Sequence, residues 1–128
     1  MNDETATVFL VDDDLSILRA LTRLLRVGGH QVSAFRSPRD FLAQHDAAVP
    51  GCVVLDLAMP GLNGLDVQER LARSKNPVPV VFITAHDDPG VREKALGAGA
   101  VAFLRKPFND ELFIKTVGEA IKRAPAPV

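Results

Sequence analysis

The chain reads as a doubly wound α/β domain, a parallel sheet covered by helices on both faces. Strand-like and helix-like segments alternate five times along its 128 residues. The strand-like segments are short, continuous apolar runs such as Val8-Phe9-Leu10-Val11, the mark of strands covered on both sides. Their connections are short, and repeated strand–helix units of this kind build parallel sheets. Four of the runs also end in a residue able to handle phosphate or metal. Parallel alignment gathers such endings at one edge of the sheet, where open α/β sheets hold their ligands.

Val8 to Val11 is the first strand, and Asp14 is placed to cap the helix that follows. That helix carries Ile17, Leu21, Leu24 and Leu25 on one stripe and exits at Gly28-Gly29. Gln31 to Phe35 is a shorter strand, expected nearer an edge. Ser37-Pro38-Arg39-Asp40 combines an N-cap, a proline at the first helical position and an acid at the third. The helix it starts carries Phe41 and Leu42 and frays near Asp46. Pro50-Gly51 introduces the third strand, Cys52 to Leu55, and Ala58 to Gly64 reads as a loop before a helix from Leu65 to Arg73. Asn76-Pro77-Val78-Pro79 ends that helix, and the fourth strand follows at Val80 to Ile83. Asp88-Pro89 starts a fourth helix, weakened by Gly90 and Gly97. Val101 to Arg105 is the fifth strand.

Asn109 caps the last helix, with Asp110 and Glu111 in its first turn and Lys122-Arg123 in its last, as the helix dipole favours. Leu112, Phe113, Val117, Ala120 and Ile121 are its expected apolar face. Residues 1–123 form the expected domain. Residues 124–128, Ala124-Pro125-Ala126-Pro127-Val128, are a short extended tail or the beginning of a linker.

Composition agrees with one globular domain: 47% hydrophobic and 24% charged residues, enough to bury a substantial core. With seven Phe and neither Trp nor Tyr, that core must be mostly Val, Leu, Ile and Ala. A net charge of −1 offers no electrostatic footprint for nucleic acid or an anionic membrane. No apolar stretch approaches ~18 residues, the length that spans a bilayer. The lone Cys52 and the polar, acidic start Met1-Asn2-Asp3-Glu4-Thr5 fit a reducing, cytoplasmic location.

The strand endings carry the chemistry. The first run delivers Asp12, Asp13 and Asp14, the third Asp56, the fourth Thr84, and the fifth leads through Arg105 to Lys106-Pro107. An isolated Asp has a pKa near ~3.9, so Asp56 needs no general base to act as a nucleophile at neutral pH. Its difficulty is attacking a phosphoryl group that is itself negative, beside Asp12 and Asp13. A divalent cation among the carboxylates removes that difficulty, and magnesium prefers such oxygen ligands. Lys106 and the Thr84 hydroxyl supply positive charge and a hydrogen-bond donor for the remaining phosphoryl oxygens. Ala85 leaves room for the incoming group.

Val11-Asp12-Asp13-Asp14, Leu55 to Gly61, Ile83-Thr84-Ala85 and Lys106-Pro107-Phe108 resemble, in that order, the receiver domain of two-component response regulators. Leu62-Asn63-Gly64-Leu65 and Gly97 to Phe103 look especially like receivers of helix-turn-helix-output regulators of the nitrogen-fixation type. The resemblance implies a flavodoxin-like (βα)5 fold with strand order 2-1-3-4-5. It implies that Asp56 accepts a phosphoryl group from a sensor histidine kinase. Asp12, Asp13, Asp56 and the backbone carbonyl of Ala58 would then ligate Mg2+, with Mn2+ as a substitute. Thr84 and Lys106 carry over as the phosphate-sensing pair and Lys106-Pro107 as a cis peptide. Phe103 carries over as the aromatic switch, here without a hydroxyl, so that it signals by burial. The expected output surface is the fourth helix, fifth strand and fifth helix, with homodimerisation on phosphorylation as a further expectation. Ala58 and His86 fall where the family tunes the lifetime of the phosphate, although His86 also fits a solvated loop histidine.

Plainer readings apply elsewhere. Asp14 is a helix cap, Cys52 a small buried hydrophobe, His30 and His45 surface residues, and Arg70, Arg73 and Lys75 a wet helix face. Gly97-Ala98-Gly99 follows a helix and precedes a strand, the reverse of a dinucleotide-binding turn, and reads as a helix exit. The enzyme alternative is a haloacid-dehalogenase-like phosphatase with Asp12 as nucleophile and Asp14 two residues on. Against it, no paired acids follow Lys106 on another strand end, and the chain has no room for a cap. A phosphorylation-independent interaction module would lack a working site, whereas every element of one is present.

Overall fold

The computed structural model describes residues 6–45, 49–57, 63–74, 77–86 and 88–123. Its elements alternate as β1 (Thr7–Val11), α1 (Leu15–Val27), β2 (Gln31–Phe35), α2 (Pro38–Gln44), β3 (Gly51–Asp56), α3 (Gly64–Ala72), β4 (Val80–Thr84), α4 (Pro89–Gly97), β5 (Ala102–Arg105) and α5 (Asp110–Lys122). The five strands form one parallel sheet in the order β2-β1-β3-β4-β5. This is the flavodoxin-like arrangement expected of the sequence, with β2 at an edge.

Alternation along the central strands builds two cores. Val8 and Leu10, Cys52 and Val54, and Val81 and Ile83 pack with Leu18, Leu21 and Leu25 of α1 and with Phe113, Val117, Ala120 and Ile121 of α5. Phe9 and Val11, Val53 and Leu55, and Val80 and Phe82 pack with Phe41 of α2, Val67 and Leu71 of α3, and Ala95 of α4. Strands sandwiched in this way must be apolar on both faces, which is why they read as unbroken hydrophobic runs. Each fully buried aliphatic side chain stabilises the fold by about 1.5–3 kcal/mol relative to exposure. Burial pushes the Cys52 thiol up to about 12, so it packs as a neutral hydrophobe.

Every helix begins at a side-chain cap. Asp14 accepts from the backbone N–H groups of Ser16 and Ile17, and Ser37 from that of Asp40. Asn63 accepts from Leu65, Asp88 from Gly90 and Val91, and Asn109 from Leu112. The exits of α1 and α4 share one device. His30 and Ala100 donate backbone N–H to the carbonyls of Leu25 and Ala95, around Gly29 and Gly99 at φ 89° and 102°. Replacing Asp14 with Ala is expected to lower stability by about 1 kcal/mol in urea unfolding. An unchanged midpoint would show that its two hydrogen bonds contribute nothing.

Several local expectations shift. α3 starts at Gly64, because Asn63 caps it instead of belonging to the loop. Leu112 is 47% exposed, and Thr116 occupies the inward face of α5, where its hydroxyl donates to the Leu112 carbonyl at 2.7 Å. On α1 Leu18 joins Leu21 and Leu25 as a buried position, with Ile17 and Leu24 half-buried beside them. His45 is no surface residue: it is half-buried, stacked on Phe41 with centroids 5.0 Å apart and edge-on to Phe9. His30 is half-buried as well. Asp46, Lys75, Ala58 and the tail 124–128 lie outside the described residues.

Candidate functional site

Parallel register brings the strand ends level. Val11 pairs with Phe35 and Leu55, Asp56 with Ile83, and Thr84 with Arg105. Backbone bonds continue the alignment one residue further: Asp12 N–H donates to Phe35, Leu57 to Ile83 and Lys106 to Thr84. The residues that follow the strands therefore converge at the carboxyl edge although they are remote in sequence.

Asp12, Asp13 and Asp56 each offer a carboxylate oxygen within 4.8 Å of the others. Asp12 and Asp56 are buried and Asp13 is exposed, so the cluster has a dry floor and one wet side. Both Asp12 oxygens are engaged. Oδ1 accepts the Asp14 backbone N–H at 2.9 Å, and Oδ2 accepts the Lys106 ammonium at 2.8 Å. The same ammonium lies 3.7 Å from Asp56 Oδ2. One lysine thus faces two carboxylates, with a third beside them, and the cluster keeps an excess of negative charge. Burying like charges together is costly unless a cation compensates.

Thr84 is buried, and its Oγ1 accepts the backbone N–H of His86 at 3.1 Å. The hydroxyl proton remains available to donate. Ala85 and His86 are exposed at this edge. The Lys106–Pro107 peptide is cis. Beyond it, half-buried Phe108 stacks on Phe113 of α5, with ring centroids 5.2 Å apart. Ala58 falls outside the described residues, so the backbone carbonyl expected of it has no position here.

Phe103 is half-buried on β5, tilted against Phe82 with centroids 6.3 Å apart. The Arg92 guanidinium of α4 sits 5.5 Å from its ring centroid, within cation–π range. Sequence reasoning missed that contact and a second one on α4. Buried Gln68 of α3 donates its Nε2 to the Ala95 carbonyl at 2.9 Å. The second had a visible signal: Gly64, Val67, Gln68 and Leu71 form one buried stripe, and a polar residue on such a stripe needs a partner. No signal for the first is evident, since an Arg near a helix middle is ordinary.

Fold and site together define a class, a flavodoxin-like sheet bearing an acid and lysine centre at its carboxyl edge. The chain belongs to the response regulator receiver domain family, which matches residues 8–118. It is 45% identical over 118 residues to Nodulation protein W of Bradyrhizobium diazoefficiens, covering 92% of this chain and 52% of that protein. It is 40% identical over 125 residues to Response regulator protein TmoT of Ectopseudomonas mendocina, covering 98% and 57%. The solved structure of FixJ-N superimposes with a TM-score of 0.87 at 34% identity, covering 98% of this chain and 99% of that one. The chain spans about half the length of the curated relatives it matches. Receiver domains of two-component systems are signalling modules, and this chain is one. No described helix is long and apolar enough to cross a membrane.

Proposed function

We propose that this domain accepts a phosphoryl group on Asp56 from a phosphohistidine of a sensor histidine kinase and thereby switches the surface formed by α4, β5 and α5. The observation that carries the reading is the meeting of three carboxylates and one ammonium at the sheet edge. An Asp56 oxygen forms the new bond to phosphorus while the phosphorus–nitrogen bond of the donor breaks, and the histidine leaves to take up a proton. Lys106, held between Asp12 and Asp56 at rest, then swings its ammonium to pair with a phosphoryl oxygen. Thr84, whose oxygen is occupied as an acceptor, donates its own proton to another.

The donor set is entirely carboxylate oxygen, which fits a hard divalent cation such as Mg2+, with Mn2+ as a substitute. Asp12, Asp13 and Asp56 would hold it, with the Ala58 carbonyl as a further ligand. When bound, such an ion offsets the surplus negative charge and draws electron density from the phosphoryl oxygens.

Once Thr84 and Lys106 turn toward the phosphate, Phe103 packs into the vacated space and α4 shifts. By the family resemblance, His86 and Ala58 would tune how readily water reaches the acyl phosphate. The switched surface serves an output partner or a second copy of the domain, and the setting is cytoplasmic. The domain catalyses only its own phosphorylation and dephosphorylation. Incubation with acetyl phosphate, followed by intact-mass measurement, is expected to give a single phosphoryl adduct with Mg2+ and none with excess EDTA. An adduct indifferent to the metal, or none at all, would sink the reading.

A further inference from the structure

We infer that Gln68 is a latch that holds α4 in its resting position, so that its amide must let go before the phosphorylated domain can switch; the inference rests on the function proposed above. α4 is poorly anchored. Ala95 is its one fully buried residue, Val91 and Arg92 are half-buried, and the other six positions from Pro89 to Gly97 are exposed. Two of its nine residues are glycine, so the helix has little intrinsic stability of its own.

Its neighbour α3 does not press against it closely. Gln68 lines two cavities. One of about 340 Å3 is bordered also by Leu65, Glu69, Lys94 and Ala98, and one of about 200 Å3 by Leu71, Val78, Ala98 and Gly99. Both spaces also border Ala98 at the end of α4, which leaves that end of the helix room to move, and the Gln68 amide reaches across from α3 to hold it.

The bridge meets α4 at its exit. The Ala95 carbonyl accepts two donors, the Gln68 Nε2–H at 2.9 Å and the Ala100 backbone N–H at 3.0 Å. The Ala100 bond closes the turn that leads into β5, the strand that bears Phe103. Gln68 is 5% exposed, so water competes weakly for its amide, and breaking the bond strands a buried donor. A displacement of α4 therefore cannot proceed without either losing this bond or carrying α3 along. In this sense Gln68 is a positioning residue: it touches no reacting atom and acts on the equilibrium between resting and switched domain.

Gln68→Met keeps the length and apolar reach of the side chain and removes the donor. Arg70→Ala, on the exposed side of the same helix and bordering neither cavity, serves as control. In the unphosphorylated protein, Gln68→Met is expected to speed amide exchange about 2- to 10-fold at Ala98, Gly99 and Ala100, leaving the central strands unchanged. With acetyl phosphate and Mg2+ it is expected to take up phosphate faster by a similar factor, while the control matches wild type in both. The latch is refuted by unchanged local exchange, by faster exchange spread evenly over the whole chain, or by slower phosphorylation. If wild type itself takes no phosphate, the proposed function fails, and the exchange pattern alone decides the latch.

Discussion

Asp56→Asn is expected to reduce phosphoryl uptake from acetyl phosphate to below detection while leaving the cooperative unfolding transition in place. The amide nearly matches the carboxylate in shape but cannot act as the anionic nucleophile. Asp12→Asn is expected to behave differently. It weakens the partner of Lys106 and one oxygen donor of the acidic cluster, so uptake slows, yet peptide mapping still finds the phosphate on Asp56. A haloacid-dehalogenase-like phosphatase requires the opposite pattern, with Asp12 carrying the covalent phosphate and Asp56 dispensable. Phosphate mapped to Asp12 would overturn the assignment.

The largest structural effect is expected at Gly51, far from the chemistry. Gly51 opens β3 and stands opposite Thr7 of β1 at the centre of the sheet. A Cβ there would lie 1.8 Å from the Thr7 carbonyl oxygen, which is backbone and cannot swing aside. Gly51→Ala must therefore push β1 and β3 apart, disturbing the Thr7 N–H bond to the Pro50 carbonyl and the register beyond it. A loss of about 3 kcal/mol or more follows, a large fraction of the stability of a domain of this size. Denaturant unfolding at the wild-type midpoint would show that the strands accommodate the methyl group.

The architecture was legible because each unit announces itself locally. Asp14, Ser37, Asp88 and Asn109 mark helix starts in the sequence and cap them in the structure. Unbroken runs such as Val80 to Ile83 report burial on both faces without any knowledge of their neighbours. The convergence of Asp12, Asp13 and Asp56 was legible for the same reason, since residues that directly follow parallel strands have one edge to occupy.

What escaped depends on distances across the fold. The Gln68 bond to Ala95 spans 27 residues, and its partner is a main-chain carbonyl, which no side-chain pattern encodes. His45 was misjudged because its burial comes from Phe9 and Phe41 meeting it in space. On α5 a hydrophobicity count favoured Leu112 over Thr116. The threonine is accommodated inside because its hydroxyl returns to the helix backbone one turn earlier.

The centre draws on β1, β3, β4 and the residues just after β5, so no single strand–helix unit contains it. Occupancy is consequently coupled to global folding: any ligand that binds the assembled edge, and not the open chain, must raise the melting temperature of the entire domain as its concentration rises.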